Sequence, residues 1–146
     1  MDEPNETVIV TLSSPTNATL GSDNVHTYTI NDNDNPPVVD FNTTSSNGAE
    51  SVSSKAITVD LSAASSQNVT VNYTVTGTAA GAGTDYTLAN GTATIAASST
   101  STTITIASIV NDTLDEDNET VILTLSNPSN ATSVSYTHLR AHETSS

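Results

Sequence analysis

Residues 111–119 read Asn-Asp-Thr-Leu-Asp-Glu-Asp-Asn-Glu. They hold five of the chain's sixteen acidic residues: Asp112, Asp115, Glu116, Asp117 and Glu119. Carboxylates this crowded repel one another, by about 4 kcal/mol per pair at ~4 Å in an effective dielectric near 20. Two chemistries suit such a stretch. One is a solvated acidic turn. The other is a hard-cation site, because Ca²⁺ takes about six to eight oxygen ligands, largely carboxylate.

The wider composition favours a cation over other partners. The 146 residues carry a net charge of −14, with Lys55 and Arg140 the sole Lys and Arg. Nucleic acid and anionic membrane surfaces recruit basic faces, so neither is an expected partner. Cysteine is absent, which excludes disulfides, thiolate metal sites and a cysteine nucleophile. No apolar run approaches the roughly 18 residues of a spanning helix.

The acidic stretch lies between two strand-like runs, and the whole chain is built of such runs. Thr, Val and Ile favour strands, while Asn, Ser and Gly punctuate them. An internal repeat organises them. Residues 3–19, EPNETVIVTLSSPTNAT, match residues 116–132, EDNETVILTLSNPSNAT, with 13 identities in 17 positions at an offset of 113. That period fits a sandwich domain of roughly 100 residues. The chain therefore reads as a slice through a tandem array. Met1 falls where the second copy has Leu114, which reads as a cut point within the array.

In order, residues 7–12 and 25–30 alternate as two half-buried strands. Asn35-Pro36-Pro37 is a stiff linker. Six further strands follow: A (38–41), B (56–62), C (69–75), D (86–95), E (102–110) and F (120–125). No helical period occurs. The expectation is an all-β antiparallel sandwich. It comprises the last two strands of one repeat (1–34), a repeat lacking its last strand (35–132), and a tail (133–146).

If successive strands reverse, loops A–B, C–D and E–F share one end. Those loops carry Glu50, Asp85 and the 111–119 cluster, whereas loops B–C and D–E carry no acid. Solubility alone would spread carboxylates over both ends. In the first copy, Asp32 and Asp34 close the strand after Glu3 and Glu6, at the equivalent end.

The run GTAAGAGTDY (77–86), Gly91-Thr92, residues 115–128 and Thr29-Ile-Asn-Asp-Asn-Asp34 together resemble the Calx-beta repeat over residues 2–132. That family includes regulatory calcium-binding domains of sodium–calcium exchangers, a module of an integrin beta subunit, and long arrays in bacterial surface proteins. The resemblance implies an immunoglobulin-like sandwich with Ca²⁺ bound at one end. By position it implies Glu50, Asp85, Asp112, Glu116 and Glu119 as ligands. Asn111 stands where the exchanger domains have aspartate, keeping a carbonyl oxygen but losing a charge. In the first copy the ligands would be Glu3, Glu6, Asp32 and Asp34, with Asn33 replacing a middle aspartate. Neighbouring repeats of the same chain, calcium ions, and a cell-surface or matrix ligand of the parent protein are the implied partners. The implied location is extracellular or at the cell surface.

The repeat predicts LGSDNVHTYTINDND after Thr132, but the chain reads SVSYTHLRAHET. That string resembles an in-frame translation of a transposon-end sequencing adapter, so residues 133–146 are expected to contribute nothing to the core. His138 and His142 have helical metal-pair spacing, but no companion ligand accompanies them. An EF-hand is excluded by the missing glycine and helices, and a phosphate loop at 77–83 by the missing Lys-Ser/Thr ending. With Phe41 and four tyrosines as the only aromatics, a carboxylate-pair glycosidase lacks a stacking platform, and no enzyme is expected. Phe41 and Tyr73 read as core. Two readings remain: a calcium-stiffened structural repeat of a large surface or secreted protein, adhesive in role, and a calcium-sensing regulatory domain of a membrane protein such as a sodium–calcium exchanger.

Overall fold

Alternation decides which residues meet. In β5 (Lys55–Leu61) every second residue, Ile57, Val59 and Leu61, is buried. In β9 (Glu119–Ser129) the same holds for Val121, Leu123 and Leu125. In a computed structural model that describes residues 1–133 and the backbone of 137–143, these faces close on one another as a β-sandwich.

One sheet has four strands in the order β10-β3-β5-β8, where β3 is Val38–Phe41, β8 is Ser101–Ile106 and β10 is Thr132–Ser133. The other has five, β4-β11-β9-β6-β7, where β4 is Ser45–Ala49, β6 is Val69–Gly77, β7 is Gly91–Ile95 and β11 is Thr137–Glu143. Pairing is antiparallel except for β10 with β3 and β11 with β4. Val39, Val59, Val71, Ile95, Ile106 and Leu123 are at most 1 % exposed and centre the core. Phe41 is buried and Tyr73 packs against the cluster, as expected of core residues.

The first 34 residues form a separate two-stranded sheet, β1 (Glu6–Thr11) with β2 (Val25–Ile30), in the register Glu6 to Ile30 and Thr11 to Val25. Val8, Val10 and Leu12 are 49, 54 and 61 % exposed. Their equivalents one repeat later, Val121, Leu123 and Leu125, are 4, 0 and 6 % exposed. The sequence is nearly the same in both copies; only the second has a facing sheet. The hairpin touches the sandwich through Asp2, whose carbonyl accepts hydrogen bonds from the Ser66 amide and hydroxyl.

Four expectations are corrected. Residues 45–49 are a strand, not part of a polar loop, so the first strand of the sandwich is split between the sheets. Strand D begins at Gly91, and Tyr86 is buried from the loop before it. Strand E ends at Ile106 and strand F runs on to Ser129. The tail also takes part in the fold. The backbone of Thr137–Glu143 pairs with both β9 and β4, closing the edge beyond F that was expected to stay open. A strand edge left bare invites any extended segment that can complete its ladder, and the tail is the nearest one in sequence.

Candidate metal site

The registers put three loops at one end. β6 ends at Gly77 opposite Val121, β5 starts at Lys55 opposite Ile106, and β4 ends at Ala49. Residues 50–54, 78–90 and 107–118 therefore share an end, as the charge pattern requires.

The loop after β6 is fastened to the start of β9. Thr78 and Thr120 exchange hydrogen bonds, each backbone amide donating to the other's hydroxyl at 3.2 and 2.8 Å, and the Ala79 amide donates to the Thr120 carbonyl at 3.0 Å. Gly77 makes this approach feasible. Its φ is +126°, and a Cβ there would lie 2.1 Å from the Thr120 carbonyl oxygen. Sequence reasoning missed the Thr78–Thr120 clamp, because threonines are everywhere in this chain and carry no distinguishing signal.

The same loop is cinched around Asp85. Its carboxylate accepts from the Ala80 amide at 2.5 Å, and its own amide donates to the Ala80 carbonyl at 2.9 Å. The Val110 amide donates to the Asp85 carbonyl at 2.9 Å, tying in the acidic loop. These bonds bring Asp85 against Glu119. The Glu119 carboxyl is held above its ordinary value of 4.5, first by desolvation, then by the charge of Asp85 and a hydrogen bond with it, then by the charge of Glu116. Neighbouring carboxylates favour a shared proton or a cation between them.

The other predicted residues lie around this pair. Glu50, read from the sequence as a loop acid, is only 3 % exposed at the end of β4. Asp112 accepts from the Leu114 amide at 2.8 Å, an Asx turn that shapes the loop. Asn111 and Glu116 are exposed. Among the described residues, no three His, Cys, Asp or Glu side chains converge closely enough to form a ready-made metal cage. The donor chemistry fits a hard cation, and the geometry supplies a carboxylate pair with further acids on adjoining loops.

In the first copy, Glu3, Glu6, Asp32 and Asp34 line one cleft of about 240 Å³. The Asp32 carboxylate accepts from the Glu3 and Asp34 amides at 3.3 and 3.4 Å. The terminal ammonium of Met1 pairs with Asp34. Its pKa is raised, chiefly by that hydrogen bond against a smaller desolvation effect, with help from the charges of Asp34, Asp32 and Glu3.

The family model of the Calx-beta domain matches residues 32–145. The chain belongs to the Calx-beta family. Solved structures similar to this Calx-beta chain include the apo-form Calx CBD1 domain, at 18 % identity and TM-score 0.67, covering 77 % of this chain and all of that one. The Calx CBD2 domain matches at 14 % identity and TM-score 0.64, covering 74 % and 86 %. CBD12 from CALX1.2 matches at 18 % and 0.65, covering 73 % of this chain, which spans 44 % of that structure's length. No curated protein sequence matches. At these identities the likeness establishes the shared sandwich fold.

The raised pKa of Glu119 has a sign that can be tested. The folded Calx-beta domain holds this proton more tightly than the unfolded chain does. The group's contribution to stability is therefore present below the ordinary carboxylate value and lost as pH rises through the raised one. Without divalent cations, this contribution to the melting temperature is lost as pH rises above the ordinary carboxylate value, and Glu119→Gln flattens that loss. Thermal melts of both proteins across this range check it; parallel curves would contradict it.

Proposed function

We propose that this Calx-beta domain binds Ca²⁺ at its acidic end and serves as a calcium-stiffened repeat in a larger extracellular or cell-surface protein, with an adhesive role for the array. The observation that carries the reading is that the loops bearing Asp85, Glu116 and Glu119 share one end and are tied together by the Thr78–Thr120 and Val110–Asp85 hydrogen bonds, with desolvation and the charges of Asp85 and Glu116 raising the Glu119 carboxyl. A bridging cation relieves that conflict. Asp85, Glu116 and Glu119 are the ligands proposed first; Glu50, Asp112 and the Asn111 carbonyl complete the shell as the acidic loop closes. Glu3, Glu6, Asp32 and Asp34 form the equivalent, partial set in the first copy.

Two further facts support the reading. A similar structure is described as the calcium binding domain CBD12 of CALX1.1. The internal repeat at an offset of 113 residues supports an array, with residues 1–34 ending one repeat and 35–132 making the next, and Thr137–Glu143 standing in for its last strand. The likeness to CBD domains favours a second reading, a calcium-sensing regulatory module of a membrane protein. Calcium binding belongs to both; the neighbouring segments of the parent distinguish them.

A ligand that binds only the folded state stabilises it by RT ln(1 + [L]/Kd), about 1.4 kcal/mol at a tenfold excess over Kd. Millimolar Ca²⁺ therefore raises the melting temperature in circular dichroism. Equal Mg²⁺ does so weakly, since Mg²⁺ demands octahedral geometry and sheds water reluctantly. Equal shifts for both ions would mean that only the surface charge is being screened.

A further inference from the structure

β8 is an outer strand with one ladder partner. It pairs with β5 and, among the described residues, with no strand on its other side. The bonds at the two ends of the ladder fix which way its backbone groups point. The Leu61 amide donates to the Thr100 carbonyl at 2.8 Å. These two residues continue the register in which Asp60 faces Ser101 and Lys55 faces Ile106. Bonded pairs alternate along an antiparallel ladder. Thr102, Ile104 and Ile106 therefore turn their amides and carbonyls toward β5, and Ser101, Thr103 and Thr105 turn theirs to the open side. Ala107, next in that second series, bears this out. It exchanges hydrogen bonds with Thr87, its amide donating at 3.0 Å and its carbonyl accepting at 2.7 Å. The Thr87 bridge closes the edge beyond Thr105, and the turn closed by the Ser99 amide on the Ala96 carbonyl lies before Ser101.

Bare edges are blunted in most proteins by charge, proline, bulges or shortness. β8 lacks these devices. Its six residues, STTITI, include no charge, proline or glycine, in a chain of net charge −14. The other outer strands differ: β10 has two residues, β4 contains Gly48 and β7 begins at Gly91. Ile104 and Ile106 are buried, while Ser101, Thr103 and Thr105 are exposed. The open edge is thus a short row of small hydroxyl residues centred on Thr103, and it is complementary to itself. Two copies of so acidic a chain repel each other, and this uncharged edge is where a second copy approaches without opposing carboxylates on the paired strands.

We propose that β8 is a self-pairing edge, at which two copies join antiparallel about a two-fold axis through Thr103, with Ser101 of one copy facing Thr105 of the other. The four-stranded sheets then run on as one. The contact is isologous and closes at two copies. It supplies roughly six backbone hydrogen bonds and cross-strand hydroxyl pairs. A single pair is weak; a row of repeats multiplies it through effective concentration. The edge runs along the flank of the sandwich, so side-by-side pairing leaves both ends free. It needs no cation and stands apart from the calcium reading.

The test is sedimentation of full-length chains up to about 1 mM, where weak contacts register, at low and high salt. The parent is expected to form a dimer that grows with salt, because salt screens the repulsion between acidic chains. Thr103→Lys and Thr103→Glu each set like charges opposite one another at the axis, and each chain alone is expected to stay monomeric while melting close to the parent. Mixed together they are expected to pair, since opposite charges then meet. A parent that is monomeric throughout, a Thr103→Lys chain that dimerises as the parent does, or a mixture that stays monomeric overturns the proposal.

Discussion

Gly77→Ala lowers the melting temperature by on the order of 10 °C or more, the largest effect expected of any single methyl group added to this chain. Two costs coincide at Gly77. Its φ of +126° is a conformation that side chains rarely adopt, worth about 1–3 kcal/mol of strain. The added Cβ would also meet backbone at 2.1 Å from the Thr120 oxygen, 2.8 Å from its carbonyl carbon and 3.2 Å from the Val121 Cα. Backbone cannot rotate aside as a flexible side chain can, so β6 and β9 must separate at the acidic end. That movement breaks the Thr78–Thr120 exchange and carries Asp85 away from Glu119. Calcium-induced stabilisation is therefore lost along with intrinsic stability. Gly21→Ala is the matched control. It lies in the hairpin loop with nothing within 4 Å of an added Cβ, and its melt stays at the parent value. Circular dichroism melts of the two variants, with and without Ca²⁺, check both halves. A Gly77→Ala protein that melts like its parent would remove the clamp from the account.

The sandwich was legible wherever burial is one-sided. Ile57, Val59, Leu61, Val121, Leu123 and Leu125 alternate in the sequence and are buried in the structure, because a two-residue period admits one inner face. It was illegible where burial and strand pairing part company. Ser45–Ala49 is a strand of Ser, Asn, Gly and Ala, held by backbone pairing with β11 and without an apolar stripe to announce it. Tyr86 looks like a strand residue and is buried, yet a loop delivers it. The tail strand was unreadable for a different reason. Its residues do not match the pattern of the repeat, and edge pairing through backbone hydrogen bonds does not ask them to.

The acidic end follows the same division. That the carboxylates gather at one end was readable from loop parity alone. Which of them approach one another was not, since the Ala80, Val110 and Thr120 bonds that hold the Asp85 loop in place leave no compositional trace. The depth of Glu50 was also hidden, because no apolar alternation around it in the sequence marks the position as buried.

The second large effect concerns Glu119, and its two parts move in opposite directions. Glu119→Gln removes the charge that conflicts with Asp85, so the calcium-free protein at neutral pH is more stable than its parent. The same change removes a proposed ligand, so the response to Ca²⁺ disappears. A residue that merely decorates a solvated acidic loop would produce neither part. Asp85→Asn loses the calcium response too. It also relieves the charge conflict, but it weakens the bond that the Ala80 amide donates to a carboxylate, since charge-assisted hydrogen bonds exceed neutral ones.

Calorimetric titration of the parent chain and Glu119→Gln with Ca²⁺ tests the central claim most directly. The parent should bind with a dissociation constant no tighter than about 10⁻⁴–10⁻³ M, the range of extracellular calcium modules, and Glu119→Gln should show no saturable heat over the same range. Binding by Glu119→Gln as tight as that of the parent would contradict the account and leave the acidic end as a solvated surface.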